Sequence, residues 1–117
     1  MLILIESLAM CFILLIICVV GIANGPVGSV YFYEPEAALS PQRQLTLLME
    51  IYACAKQGSQ FIIVTHSPIL LGIPGAEILT FDEGFIHSCE YEETDSYQVT
   101  EMFINNREQI LGRLLGE

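Results

Sequence analysis

The sequence predicts an α/β fold with a parallel βαβ core, a C-terminal hairpin and two helices, preceded by an apolar helix. Two apolar runs, residues 30–33 and 60–64, are rich in β-branched and aromatic residues and have the length of buried strands. Residues 40–57, between them, have helical periodicity. Two strands joined by one helix lie parallel in one sheet, so their carboxyl ends should meet at one edge.

Residues 1–24 are predicted to form an apolar helix, separate from a domain that spans residues 25–117. The only charge in this helix is Glu6. Because it is hydrophobic on all sides, the helix should be either buried in protein or inserted in a membrane, with residues 8–23 as the candidate transmembrane part. A signal peptide is a third alternative, since residues 21–23 resemble a cleavage site, but the basic amino-terminal region is missing.

The first strand of the core ends in carboxylates and leads into a capped helix. Glu34 and Glu36 lie on either side of a proline, which cannot donate to a sheet ladder and should end the strand. Ser40 precedes Pro41 and has the position of a helix N-cap. Four apolar residues at helical spacing are predicted to face the sheet, namely Leu45, Leu48, Tyr52 and Ala55.

The second strand of the core ends in Thr65 and His66. Ligands of open α/β sheets bind outside the carboxyl ends of the strands. Glu34 and His66, although far apart in sequence, are therefore predicted to lie on one rim of the sheet and to form the functional site.

The C-terminal third is predicted to contain a hairpin and two helices. Its elements are strands 77–81 and 85–89, a solvated acidic loop 90–95, and helices 97–104 and 108–115. Asn105, with Glu108 three residues later, has the pattern of a capping box at the start of the last helix.

Charge and cysteine spacing restrict the ligands that the chain can take. Fourteen acidic residues against four Lys and Arg give a net charge of -10, which excludes nucleic acid as a partner because the phosphates would be repelled. Nucleotide phosphates would also need positive charge from a metal or another chain. No metal-ligand set is predicted, since the four cysteines lack Cys-x-x-Cys spacing.

Two motifs of the predicted rim resemble the C-terminal half of an ABC-type ATPase domain, as in the AAA-family predicted ATPases. Residues 34–41, EPEAALSP, are similar to the end of that family's Walker B segment and its D-loop, and residues 65–68, THSP, to its switch-histidine segment. The resemblance extends from Tyr31 to about Leu115. It implies a partial P-loop NTPase-like fold that binds ATP and Mg²⁺.

The resemblance also implies roles for individual residues. Glu34 would polarise the attacking water, His66 would sense the γ-phosphate, and Ser40, in the D-loop position, would contact the nucleotide. Tyr33 stands where the family has the magnesium-side Asp, and a phenol with a pKa of about 10 is neutral at pH 7. A P-loop is missing as well, because the single lysine, Lys56, is not preceded by glycine.

The chain is therefore predicted to be an ATP-binding and ATP-hydrolysing domain fragment that is weak or inactive alone. Full activity would need a complementing N-terminal half, and a homodimer is a further candidate assembly. Two alternatives stay open. One is an interaction module, a cytoplasmic domain held at the membrane by residues 8–23, and the other is a truncated remnant without activity.

Overall fold

The computed structural model of the chain describes residues 2–6, 29–82 and 85–116. They form one mixed sheet with three helices, which confirms the α/β class. The strands are β1 Leu2–Glu6, β2 Ser29–Tyr33, β3 Gln60–Val64, β4 Glu77–Asp82 and β5 Phe85–Cys89, and the helices are α1 Pro41–Lys56, α2 Asp95–Asn105 and α3 Arg107–Leu115. Short 3-10 turns span Pro35–Ala38, Leu70–Gly72 and Tyr91–Glu93.

The sheet has the strand order β2-β3-β1-β4-β5. Strands β2 and β3 are parallel neighbours joined by α1, with Tyr33 opposite Val64, so the predicted βαβ core is confirmed. Strand β1 is parallel to both β3 and β4. Strands β4 and β5 pair antiparallel, which confirms the predicted hairpin.

Leu2–Glu6 is a strand, and the prediction of an apolar helical arm beginning at residue 1 is wrong for these residues. They lie between β3 and β4 and belong to the same sheet as the rest of the domain. Leu2, Leu4 and Ile5 are all buried. A parallel strand covered on both faces is apolar throughout, and a short run of this kind has no periodicity that distinguishes it from a buried helix.

The remainder of the predicted arm, residues 7–24, lies outside the described residues. Membrane insertion of residues 8–23 and the signal-peptide alternative both stay predictions for that reason. Across the ranges that the structure describes, no helix is both long enough and apolar enough to span a bilayer.

Helix α1 packs on one face of the sheet, but the side of the helix that is buried differs from the predicted one. Ile51 is its buried residue, and Leu48 and Ala55 pack on the same core, as predicted for those two. Leu45 and Tyr52 are exposed instead. Apolar residues occur on several sides of this helix, so the sequence alone does not single out the stripe that faces the core.

The C-terminal helices begin earlier than predicted. Helix α2 starts within the acidic run, at Asp95, and the preceding residues form a 3-10 turn with a capping box between Glu90 and Glu93 rather than an open loop. The predicted capping box at Asn105 is wrong: Asn106 is the N-cap of α3, and its side chain makes no capping bond to that helix but donates back to the Met102 carbonyl in the last turn of α2. The Asn105 amide donates to Glu101 within α2 instead.

Candidate functional site

The carboxyl rim of β2 and β3 places Glu34 beside the residues that follow β3. The Glu34 N–H donates to the carbonyl of Val64 at 2.7 Å, so the chain leaves the sheet directly beside the neighbouring strand. Thr65 continues this contact across the sheet, because its N–H donates to the carbonyl of Ile5 in β1 at 3.0 Å. The ends of three parallel strands are thus tied together at the rim.

The structure brings the Glu34 and His66 side chains together, as their positions after neighbouring parallel strands predict. Glu34 Oε1 lies 3.9 Å from His66 Nε2, and the two side chains are 31% and 30% exposed. This distance allows ion-pair attraction but is too long for a hydrogen bond. His66 Nε2 is buried and has no hydrogen-bond partner among the residues that the structure describes.

Glu34 has an unusual backbone conformation. Its φ of 45° and ψ of 54° are left-handed, and among the described residues no other non-glycine residue has a positive φ. For an L-residue with a long side chain this conformation costs about 1–2 kcal/mol. Strain of this size persists where surrounding contacts enforce it, and such sites are often functional. Here the bonds to Val64 and Ala37 hold the turn in place.

Glu36 positions the backbone of His66. Its Oε1 accepts a hydrogen bond from the His66 N–H at 2.9 Å, across 30 residues of sequence. Its other oxygen, Oε2, is buried and has no partner in the part of the chain that the structure describes. Sequence reasoning gave Glu36 no role, although its place just beyond a strand end is the same signal that identified Glu34.

Ser67 anchors the loop that follows His66. It is buried, its N–H bonds Thr65 Oγ1 at 3.0 Å, and its own hydroxyl accepts the N–H groups of Ile69 and Leu70 at 3.2 and 3.1 Å. The same hydroxyl donates to the amide oxygen of Gln44 in α1. The loop is therefore fixed to the helix that precedes β3.

Tyr91 holds the same loop from the C-terminal side. Its hydroxyl donates to the Pro68 carbonyl, and its ring lies so close to Gly72 that a Cβ there would be 3.4 Å from it. Burial raises the pKa of Tyr91 above its usual 10.0, and the nearby Tyr97 and Glu92 raise this pKa further. The neutral phenol that the hydrogen bond needs is thus the favoured form.

Ser40 lines a groove that does not include Glu34 and His66, and its local role is to cap α1. It is the N-cap of α1, where its hydroxyl accepts the Arg43 N–H at 3.3 Å. It also lines an open groove of about 540 Å³, whose lining includes neither Glu34 nor His66. Capping accounts for Ser40, and its predicted contact with a nucleotide stays a prediction.

Glu6 is a third carboxylate at this edge, and sequence reasoning gave it no place there. It is only 5% exposed, and its two oxygens accept the N–H groups of Asp95 at 3.1 Å and Ser96 at 2.9 Å, in the first turn of α2. A carboxylate there satisfies free N–H groups and complements the helix dipole. The signal in the sequence was a lone charge in an apolar segment.

The residues at the rim do not fit a magnesium ion. In the described ranges no three His, Cys, Asp or Glu side chains lie close enough together to hold a metal. Tyr33, where the resemblance would place a magnesium-side Asp, is exposed and carries a phenol instead of a carboxylate.

Comparison with protein-family models, curated proteins and solved structures found no match to this chain. The likeness to ABC-type ATPases therefore rests on the motifs at residues 34–41 and 65–68.

Proposed function

We propose that this chain is the C-terminal lobe of an ABC-type ATPase domain with a P-loop NTPase-like fold. In this proposal the lobe presents Glu34 and His66 to the γ-phosphate end of a bound nucleotide. The observation that carries it is the approach of the two side chains to 3.9 Å beyond adjacent parallel strands. The motifs around both residues support the same assignment.

Each of the two residues has the chemistry that its proposed role needs. The Glu34 carboxylate accepts a hydrogen bond from the attacking water and so orients it toward the phosphorus. His66 in its neutral form donates from Nε2 to a γ-phosphate oxygen, and within the described ranges of the chain this nitrogen has no hydrogen-bond partner. Glu36 acts through His66, because it holds the backbone from which the imidazole projects.

The proposed lobe is incomplete by itself. The sequence contains no P-loop, whose backbone N–H groups and lysine would cradle the phosphates. With a net charge of -10 the chain also attracts no phosphate at long range. We therefore expect weak ATP binding and negligible hydrolysis by the chain alone, with the phosphate cradle supplied by a complementing N-terminal half.

The test is calorimetric titration of the full chain with ATP. We expect a dissociation constant on the order of millimolar, weakened about tenfold by His66→Ala because one hydrogen bond to a charged oxygen is lost. His87→Ala is the matched control, since His87 lies on β5 at the far edge of the sheet, and it should leave binding unchanged.

Two results would contradict the proposal. Binding that is undetectable at millimolar ATP, or that His66→Ala leaves unchanged, removes the nucleotide from this rim. ATP turnover by the chain alone that Glu34→Gln abolishes would show that the lobe needs no complementing half.

A further inference from the structure

The sheet has two apolar faces, which differ in what packs on them. On the first face, Leu4 and Ile63 pack with Ile51 of α1 and with Leu71 of the loop after β3. The apolar cluster of the second face consists, within the described ranges, of strand residues alone. Its members are Ile3, Ile5, Tyr31, Ile62, Val64 and Leu79.

The second face is continuous across the parallel strands. Ile62 in β3 lies opposite Ile3 of β1 on one side and Tyr31 of β2 on the other. Ile5 in β1 is likewise paired with apolar residues of this face in both neighbouring strands. Parallel sheets occur almost only where both faces are covered, and their strands are apolar on both sides for that reason. The second face therefore needs a cover.

The direction of each crossover connection decides which face it covers. Helix α1 joins β2 to β3, and the loop after β3 passes β1 to reach β4, so both run away from the β2 edge. Both contribute to the first face, through Ile51 and Leu71. Residues 7–28, which lie outside the described residues, join β1 to β2 across β3, in the opposite direction. About 98% of parallel crossovers are right-handed, so reversing the direction moves the connection to the opposite face.

The ends of this connection exclude a single pass through a membrane. It leaves β1 at Glu6 and enters β2 at Ser29, and both strands belong to one sheet. One spanning helix would place these strands on opposite sides of the bilayer. As a helix, residues 8–23 would be about 24 Å long, against about 30 Å for the hydrocarbon core. The same helix is long enough to run back along a five-residue strand of about 17 Å.

We propose that residues 8–23, in the helical form that their sequence predicts, pack on the second face of the sheet. The segment has no charged residue, which suits an apolar surface, and the turn-forming residues 24–28 then lead into β2. The sheet is thus covered on both faces by its own chain. The alternative of an interaction module held at the membrane by residues 8–23 falls with this assignment. The inference is independent of the proposed nucleotide site.

Thiol cross-linking within one chain tests the proposal. Cys11 and Cys18 lie in the segment and serve as natural probes, once Cys54→Ser and Cys89→Ala have removed the other two thiols. A bismaleimide can bridge the spacing of about 10 Å between packed layers. Mass spectrometry of a mixture of isotope-labelled and unlabelled chains separates links within a chain from links between chains. This matters because the outer side of residues 8–23 is apolar too, so association alone would not be diagnostic.

Two neighbouring residues of β2 provide a matched pair of attachment points. Tyr31 belongs to the second face and Phe32 to the first, and both are partly buried. We expect about tenfold more intrachain linking in Tyr31→Cys than in Phe32→Cys, because successive strand side chains point to opposite faces. The link in Tyr31→Cys should persist when phosphatidylcholine vesicles are added. Circular dichroism checks that both variants fold.

The unmodified chain gives a second readout, which needs no variant to fold. Nuclear Overhauser effects should join the Ile62 methyl groups to methyl groups of residues 8–23, whereas those of Ile63 should reach α1. Equal linking from both attachment points overturns the proposal, as does the absence of linking together with the absence of these Overhauser effects at Ile62. Loss of the Tyr31→Cys link on addition of vesicles would assign the segment to lipid and overturn it as well.

Discussion

The rim loop, residues 65–72, and the C-terminal helices α2 and α3, residues 95–115, are organised in opposite ways. The loop has little regular structure, yet Thr65, Ser67 and Leu70 are buried and hydrogen bonds hold it from α1, from the β2 turn and from Tyr91. Residues 95–115 are almost entirely helical, yet neither α2 nor α3 has a buried residue. Regular secondary structure and local stability are therefore separate properties here, since stability follows buried contacts.

The carboxylates of the two regions also differ in the groups that they contact. At the rim, Glu6 and Glu36 accept backbone N–H groups, and Glu34 lies beside an imidazole. On α2, no cation lies within ion-pair distance of Asp95 or Glu101 among the described residues, and Glu101 accepts a side-chain amide of its own helix. The rim carboxylates Glu6 and Glu36 thus bond to other elements of the fold, whereas Glu101 bonds within its own helix.

The largest expected effect comes from a substitution in the core of the sheet that carries the rim loop. Ile63 is fully buried in β3, and Ile63→Ala should lower the free energy of unfolding by about 3 kcal/mol through lost packing and a cavity. Leu114→Ala in α3 should change the free energy of unfolding by no more than about 0.5 kcal/mol in dilute protein. Urea unfolding followed by circular dichroism measures both. Equal losses of stability in the two variants would show that α3 is packed as firmly as the sheet.

Glu6 connects the two regions, and its removal should affect α2 most. Glu6→Ala should cost about 2 kcal/mol, because two N–H groups of the first turn of α2 lose a charged acceptor, and Glu6→Gln about half of that. Hydrogen exchange should speed up at the amides of Asp95 and Ser96. Glu50→Ala, at an exposed carboxylate of α1, is the control. Unchanged exchange at the two amides would contradict the capping role.

Tyr91 should make part of the stability dependent on alkaline pH. Tyr91→Phe should cost about 1 kcal/mol at pH 7, through loss of the hydrogen bond to Pro68. Since the folded pKa of Tyr91 is raised above 10.0, this contribution is fully present below pH 10 and is lost as pH rises through the folded value. The stability difference between wild type and Tyr91→Phe should therefore shrink above pH 10 in thermal unfolding. A difference that is constant up to pH 11 would be the contrary result.

The smallest expected effect is a gain in stability from a substitution at Glu34. Glu34→Gly should raise the free energy of unfolding by about 0.5 kcal/mol, because glycine adopts the left-handed conformation without strain but loses more chain entropy on folding. The same variant should bind ATP less well than wild type. Glu34→Ala keeps the strain and should bring no gain. A loss of stability in Glu34→Gly would show that the contact with His66 outweighs the strain.

Local patterns were enough to predict much of this fold. The strands at residues 30–33 and 60–64, the helix between them, its Ser40 cap and the C-terminal hairpin all follow from propensities within a few residues of sequence. The meeting of Glu34 and His66 at one rim follows as well, because a βαβ connection forces two strands to be parallel. The structure adds the distance between them.

The chain by itself thus determined the α/β class, the βαβ core and the rim at which Glu34 and His66 meet. Only the tertiary structure decided that Leu2–Glu6 is the central strand, that Ile51 rather than Leu45 faces the core, and that Glu36 holds His66. It also decided that Glu6 caps a helix about 90 residues away. Patterns in sequence encode contacts between near neighbours, whereas these features depend on which surfaces are left to cover and which N–H groups are left to satisfy once the elements have packed.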